Sequence, residues 1–198
     1  MCRFVESIQL YDGEFKRLEY HQGRVRAAMT DYYPTAVIFN LVESLLKTNF
    51  PVSGLYKCRV TYDSVIREIE FIPYVRREIK TLRLVETEIG STLYKLQDRK
   101  LYNAAYDLRG DCDEVILVKN GLLTDTTFTN IALFNGKYWY TPRIPLIYGV
   151  NRAQLIQEGL LIEKDIIVSE LVNFKWISLF NALNEFGDIE LDISSIRQ

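Results

Sequence analysis

The sequence predicts an α+β fold in two domains, a small N-terminal α+β domain over residues 1–84 and a larger C-terminal mixed α/β domain over residues 85–198. Two observations favour this fold. In the first part of the chain, two strand pairs enclose two stretches with helical spacing of apolar residues. In the second part, the Asn-Gly pairs that begin at Asn120 and Asn135 are typical of hairpin turns and separate strand-like segments.

The N-terminal domain is predicted to hold two helices between two hairpins. In the second helix, Thr35 is the expected N-cap, and Val37, Leu41 and Leu45 form the expected apolar face. The predicted elements are a hairpin that starts at Arg3 and turns at Y-D-G-E, helices over residues 20–33 and 35–49, and a second hairpin built from residues 55–63 and 65–75.

The C-terminal domain is predicted to alternate strands with short helices, because period-2 segments are separated by turn residues and by helical patterns. A loop that begins at Gly149 should lead into a helix that stops at Gly159. The other predicted elements are strands over residues 80–90, 113–121, 122–142 (folded back on itself), 161–168, 175–183 and 188–194, and helices over residues 98–108 and 169–174.

Composition and charge exclude several classes of protein. A net charge of −2 gives no electrostatic case for binding nucleic acid or an anionic membrane. No apolar run approaches the roughly 20 residues that cross a bilayer, and no secretory signal is recognisable. Cys2, Cys58 and Cys112 fit no metal pattern, so no metal site is expected, and free thiols in a reducing cytoplasm are predicted. The single histidine, His21, cannot anchor zinc alone.

Lys95 lies where a strand-like segment gives way to a helical one. A lone lysine is most often a solvated surface group, but three motifs follow in order: K-L-Q-D-R from Lys95, the acidic hairpin L-T-D-T-T-F-T-N, and G-V-N-R from Gly149. This series resembles the signature of the class IV, or fold type IV, pyridoxal-phosphate enzymes. That family includes aminodeoxychorismate lyase, branched-chain aminotransferase and D-amino-acid transaminase, so the resemblance implies the two-domain fold of D-amino-acid aminotransferase-like enzymes.

The resemblance implies that pyridoxal 5'-phosphate is the cofactor and that Lys95 forms a Schiff base with its aldehyde. Lys95 would then move the α-proton of the substrate, which requires an amine that is unprotonated part of the time. Asp125 occupies the place of the carboxylate that keeps the pyridine nitrogen protonated. The family more often has glutamate there, and the alternative interpretation of Asp125 is a turn residue.

The resemblance also implies a set of phosphate ligands. Arg24 fills the arginine position of an H-x-x-R motif, and an arginine suits a phosphate. Main-chain amides before a helix bind phosphate well, although the family usually has threonine where Asn151 stands. Two hairpin threonines offer hydroxyls, or are simply good strand residues. The expected cofactor-binding residues are Arg24, Lys95, Asp125, Thr126, Thr127, Gly149, Val150 and Asn151.

Arg59 is the candidate for binding a substrate carboxylate, because alternation places it on one strand face with Lys57 and Thr61. The alternative is an arginine on a half-exposed strand with no such role. Relatives bind substrate with an arginine-bearing loop that this short chain lacks, so the substrate itself does not follow from the resemblance.

Three functions fit these motifs. The first is a cytoplasmic aminodeoxychorismate lyase that gives 4-aminobenzoate and pyruvate for folate synthesis. The alternatives are a class IV aminotransferase of the branched-chain or D-amino-acid type and a family member that binds without catalysis. The resemblance further implies a homodimer, for which the apolar and aromatic segments at residues 32–39 and 138–149 offer contact surface.

Overall fold

The computed structural model describes residues 3–197, so Cys2 lies outside the described part of the chain. Contacts divide the chain into two compact units. The N-terminal unit contains the residues up to Arg76 and the segment Leu93–Asp98, and the C-terminal unit contains Arg77–Thr92 and the residues from Arg99 onward. The single boundary predicted between residues 84 and 85 falls inside a strand, because Leu82–Glu86 pairs with two neighbouring strands of the C-terminal unit.

The N-terminal unit is an antiparallel sheet covered by helices. Both predicted hairpins are confirmed, and the first one turns at Asp12 and Gly13, which have positive φ angles of 47° and 83°. Its elements are β1 (Phe4–Tyr11), β2 (Glu14–Phe15), α1 (Leu18–Tyr32), α2 (Leu41–Leu46), β3 (Leu55–Tyr62) and β4 (Ile66–Pro73), and the sheet order is β2-β1-β3-β4.

The second predicted helix is much shorter than expected. It begins after Asn40, whose side-chain oxygen accepts a hydrogen bond of 3.1 Å from the amide of Glu43. Thr35 is therefore not the N-cap, and Val37 is 89% exposed and not part of an apolar face. The β-branched residues before Asn40 disfavour helix, whereas asparagine is a strong N-cap. Leu41 and Leu45 are buried as predicted.

The two faces of the N-terminal sheet differ in chemistry. On β1, Phe4 and Ile8 pack into apolar clusters with residues of α1 and α2, so this face is the covered one. Glu6 shares that face by alternation. The opposite face is polar, because Ser7 pairs with Arg59 and Val5 pairs with Thr61 across β1 and β3.

The segment Leu93–Asp98 extends the edge of the same sheet. The amide of Val5 donates a hydrogen bond of 2.8 Å to the carbonyl of Lys95, and the amide of Gln97 donates one of 3.0 Å to the carbonyl of Arg3. The segment therefore adds to one end of β1, while β2 pairs with the other end at Leu10 and Tyr11. These bonds fix the main chain of Lys95.

The C-terminal unit contains two sheets, and apolar side chains from both form its largest core cluster. One sheet has the order β13-β5-β6-β7 and the other β10-β9-β8-β11-β12. The elements are β5 (Leu82–Glu86), α3 (Lys100–Asp107), β6 (Glu114–Lys119), β7 (Leu122–Thr126), β8 (Asn130–Phe134), β9 (Trp139–Pro142), α4 (Val150–Gln157), β10 (Ile162–Lys164), β11 (Trp176–Phe180), β12 (Glu190–Asp192) and β13 (Ile196–Arg197).

The predicted elements of the C-terminal unit are all found, with shifted ends. The helix predicted over residues 169–174 is a 3₁₀ helix, Val168–Asn173, and the short strand β13 was not predicted. Mixed α and β content is thereby confirmed. Within residues 3–197, no helix is both long and apolar enough to cross a membrane.

Candidate active site

Lys95 presents its amine on the polar face of the N-terminal sheet. Its Nζ donates a hydrogen bond of 3.1 Å to the hydroxyl of Ser7, a residue of β1. The Lys95 side chain is partly buried, and its main chain is already tied to β1 through Val5. The amine is thus held within a local polar surface and does not extend freely into solvent.

Arg59 lies on this same polar face, as predicted. It is the cross-strand partner of Ser7, and its guanidinium pairs with the Glu70 carboxylate on β4 at 2.6 Å. Thr61, two residues further along β3, is buried, and its hydroxyl has no hydrogen-bond partner among the described residues. The sheet face that carries Ser7 therefore also carries the polar side chains of Arg59 and Thr61. The role of Arg59 as a carboxylate ligand stays a prediction, since Glu70 already neutralises its charge.

Arg24 lies on the opposite, helix-covered face. Its Nε and Nη2 donate to the two oxygens of the buried Glu6 carboxylate at 2.8 and 2.5 Å, and Nδ1 of His21 lies 2.5 Å from Glu6 Oε2. Burial raises the pKa of Glu6, but the charge of Arg24 and the hydrogen bond to His21 outweigh it and leave the pKa at about 2. Burial lowers the pKa of His21, and the Glu6 carboxylate opposes this only in part.

The Glu6 contact holds the guanidinium of Arg24 in one orientation. The two hydrogen bonds to Glu6, called the fork below, use two of the five N–H groups of the guanidinium. Other N–H donors of the same guanidinium remain. The proposed contact of Arg24 with a phosphate stays a prediction. The fork explains how an arginine with a side chain only 9% exposed can remain charged in this unit.

Asp125 is a fully buried carboxylate on β7 of the C-terminal unit. Its Oδ1 accepts a hydrogen bond of 2.8 Å from Asn130 Nδ2, and its Oδ2 accepts one of 2.9 Å from the amide of Ile147. Both donors are neutral. Burial raises the pKa of Asp125 to about 6, although the hydrogen bonds and the charge of Arg152 lower it in part. A buried carboxylate with this raised pKa would be stabilised by a cationic N–H group.

Asn130 orients Asp125 and was not among the predicted site residues. Its Nδ2 also donates to the carbonyl of Ile147 at 2.9 Å, so one amide group joins β7, β8 and the segment before α4. Gly149 packs directly against it, because a Cβ atom at residue 149 would lie 2.0 Å from Asn130 Oδ1. Only glycine leaves room for this arrangement.

Replacement of Gly149 by alanine is therefore expected to destabilise the protein by about 1–3 kcal/mol, the usual cost of forcing an extra methyl group into a packed site. The displaced Asn130 should also release Asp125. Urea unfolding measures the loss. Gly90→Ala is the matched control, because no neighbouring atom of the described part of the chain would lie within 4 Å of a Cβ at that position. Equal stability of the two variants would contradict this account of Gly149.

The N-terminus of α4 offers main-chain donors. Gly149 is the N-cap, and among residues 3–197 no side chain caps this end and no partner inside a helix accepts from the amides of the first helical turn. The amides of Val150 and Asn151 belong to that turn. The Asn151 side chain is committed elsewhere, since its Nδ2 donates to the carbonyl of Asn181 at 2.8 Å. Asn151 can therefore serve a phosphate through its main chain, while its side chain anchors the helix.

Thr126 and Thr127 already have partners inside the C-terminal unit. The Thr126 hydroxyl lies 2.7 Å from that of Thr129 and accepts the Thr129 amide at 2.9 Å, which closes the turn between β7 and β8. The Thr127 hydroxyl donates to the buried Glu114 carboxylate at 2.8 Å. Their contact with a cofactor, which was predicted from the resemblance, stays a prediction, and both hydroxyls have a structural role here.

The candidate residues thus form three groups. Lys95 and Arg59 share the polar face of the N-terminal sheet, and Arg24 lies on its covered face. The members within the C-terminal unit are Asp125, Thr126, Thr127, Gly149, Val150 and Asn151. Sequence reasoning missed Glu6, Ser7 and Asn130. Alternation along β1 could assign the first two to opposite faces, but it could not name their partners.

Comparison with known proteins identifies the family of the chain. Residues 3–190 match the family model described as amino-transferase class IV. An uncharacterised protein from Haemophilus influenzae is 34% identical over 187 residues, which cover 93% of this chain and 99% of that protein.

Two solved structures are similar over almost their full lengths. A proposed 4-amino-4-deoxychorismate lyase from Haemophilus somnus has a TM-score of 0.85 and 27% identity, with 93% of this chain and 98% of that chain covered. A proposed amino-acid aminotransferase from Mesorhizobium loti has a TM-score of 0.78 and 23% identity over 100% of both chains. The match over residues 3–190 shows that the chain belongs to the class IV amino-transferase family, which uses pyridoxal phosphate.

Proposed function

We propose that this protein is a pyridoxal-phosphate enzyme that removes pyruvate from aminodeoxychorismate and so forms 4-aminobenzoate. The observation that carries the proposal is the buried Asp125 carboxylate, which is hydrogen-bonded by neutral donors and has a pKa raised to about 6. A protonated pyridine nitrogen is the kind of cation that such a carboxylate would stabilise.

The residues proposed for the rest of the cofactor have suitable chemistry, each within its own unit. A phosphate suits a guanidinium or the main-chain amides of a helix N-terminus. Arg24 offers the first in the N-terminal unit, and the first turn of α4 offers the second in the C-terminal unit. Lys95 supplies the amine for covalent attachment. When bound, pyridoxal phosphate supplies an electron sink for the bond that breaks next to the substrate amine.

Lys95 is the residue that we propose to move protons. Its Nζ would remove the proton from the amine-bearing ring carbon of the substrate and return a proton to the departing pyruvate. The Asp125 carboxylate would stabilise the protonated pyridine nitrogen during this transfer. Asn130 would hold that carboxylate in position through its hydrogen bond. Arg59, on the same sheet face as Ser7, is the proposed ligand of a substrate carboxylate.

A lyase is preferred to a transaminase because the proposed lyase from Haemophilus somnus is the more similar of the two solved structures described above. Its TM-score is 0.85 and its identity 27%, against 0.78 and 23% for the proposed aminotransferase from Mesorhizobium loti.

The test is to mix the enzyme with aminodeoxychorismate and measure pyruvate without adding any keto acid. Stoichiometric pyruvate and 4-aminobenzoate are expected, and the Lys95→Ala variant is the control for spontaneous breakdown. The lyase assignment is wrong if pyruvate does not form while glutamate, branched-chain or D-amino acids convert the cofactor to its amine form. A protein that binds the cofactor and converts none of these would be a non-catalytic family member.

We also propose a homodimer in the cytoplasm. The dimer is supported by exposed apolar surface in two segments. Val37 and Ile38 are exposed in residues 32–39, and Tyr138 and Ile144 are exposed in residues 138–149. Light scattering at micromolar concentration should give twice the 23.1 kDa mass of the chain. A fully active monomer would contradict the dimer.

A further inference from the structure

We infer that Ser7 is a positioning residue for the Lys95 amine, and this inference rests on the proposed function of Lys95. The Ser7 hydroxyl accepts the hydrogen bond from Lys95 Nζ at 3.1 Å. The two residues are 88 positions apart in the chain, so the contact exists only because the Lys95 segment pairs with the edge of β1.

The main chain brings the two side chains together but does not fix the amine. The carbonyl of Lys95 is bound to the amide of Val5, two residues before Ser7 on β1, and side chains two apart on a strand share a face. A lysine has a flexible four-carbon stem and can place its amine in many positions. The hydroxyl of Ser7 selects those in which Nζ lies over the polar face of the sheet.

A serine hydroxyl is chemically suited to this task. It accepts one N–H of the amine, whether the amine is neutral or protonated, and it leaves the lone pair of the neutral amine free to react. A carboxylate in the same position would hold the amine more strongly, but it would stabilise the ammonium form, which is not nucleophilic. Ser7 therefore orients Lys95 without keeping it charged.

The test measures attachment of pyridoxal phosphate to Lys95 in the cofactor-free protein. Samples are reduced with borohydride at successive times, and the modified Lys95 peptide is quantified by mass spectrometry. In Ser7→Ala, the attachment rate at saturating pyridoxal phosphate should fall about fivefold, the factor that one ordinary hydrogen bond carries. The concentration that half-saturates the rate should stay the same, because the phosphate and ring ligands are intact.

Three further variants make the result specific. Ser7→Thr keeps the hydroxyl on a residue that suits a strand, and it should restore the rate. Ser7→Cys keeps the volume but accepts hydrogen bonds weakly, and it should be as slow as Ser7→Ala. Ser44→Ala removes a hydroxyl of α2 that donates to the carbonyl of Asn40 at the start of its own helix, and it should leave the rate unchanged.

The possible outcomes separate the two claims. If wild-type Lys95 is not modified, the proposed function and this inference both fall. If Lys95 is modified and Ser7→Ala attaches at the wild-type rate, only the inference is wrong. A Ser7→Ala protein that does not fold leaves the decision to Ser7→Cys and Ser7→Thr, and equal rates in those two variants would overturn the role of the hydroxyl.

Discussion

Replacement of Lys95 by alanine is expected to lower turnover by at least about a thousandfold, because the residue is both the attachment point and the proton carrier in the proposed reaction. The fold should survive the change. The hydrogen bonds that tie this segment to β1 come from main-chain atoms of Arg3, Val5, Lys95 and Gln97, and alanine keeps all of them. Circular dichroism and thermal unfolding should therefore match the wild type.

A matched substitution distinguishes this effect from the loss of a surface charge. Lys47 lies at the C-terminal end of α2 and is exposed, so Lys47→Ala should keep full activity. Comparable pyruvate formation by Lys95→Ala and the wild type would remove Lys95 from the mechanism. Equal losses in Lys95→Ala and Lys47→Ala would show that the assay responds to charge or stability instead.

Replacement of Asp125 by asparagine is expected to lower turnover by about 10²–10³-fold while the protein still binds pyridoxal phosphate. Asparagine has almost the same shape, so the other proposed ligands, Lys95, Arg24 and the amides of α4, are unchanged. In the proposed site, the missing charge would no longer stabilise the protonated ring nitrogen. Absorbance titration measures binding, and pyruvate release measures turnover. Loss of binding with normal turnover per bound cofactor would contradict this role.

The same variant has a distinct effect on the stability of the cofactor-free protein. The pKa of Asp125 is raised to about 6 from its usual 3.8, so its contribution to folding is fully present below pH 3.8 and is lost as the pH rises through 6. A shift of this size corresponds to about 3 kcal/mol in all, of which about 2.5 kcal/mol is lost between pH 4 and pH 7. Asparagine does not titrate.

Urea unfolding at several pH values tests this linkage. The free energy of unfolding of the wild type minus that of Asp125→Asn should decrease by about 2.5 kcal/mol between pH 4 and pH 7. Taking the difference between the two proteins cancels the pH dependence that comes from Glu6, which both contain. Because the pKa of Glu6 is lowered, its contribution to the free energy of unfolding has the opposite trend and is lost only as the pH falls below about 4.5. A pH-independent difference would mean that Asp125 is not a destabilised carboxylate.

Local patterns were enough to predict most of the elements. The alternation along β1, β3 and β4 and the Asn-Gly turn at Asn120 are short-range signals with a direct geometric cause, and the predicted hairpins are present. The helix predicted to begin at Thr35 is wrong, because Thr35 and Asn40 are both residue types that cap helices, and Asn40 is the one that does so. Residue type alone does not decide between two candidate caps that lie five positions apart.

Long-range contacts could not be predicted from those patterns. The pairing of Lys95 with β1 joins distant parts of the chain, and nothing in the local sequence of either partner specifies it. The same limit explains why the motifs suggested Lys95 and Asp125 but gave no role to Ser7 or Asn130. The motifs name the residues that do chemistry, whereas the residues that position them depend on how strands pair and pack.

The central claim, that Lys95 carries the cofactor, is tested most directly by peptide mapping. The purified protein is saturated with pyridoxal phosphate, reduced with borohydride and digested, and the modified peptide is sequenced by mass spectrometry. The account predicts a single phosphopyridoxyl group on Lys95. A label on another lysine, or no label in a saturated sample, would contradict it.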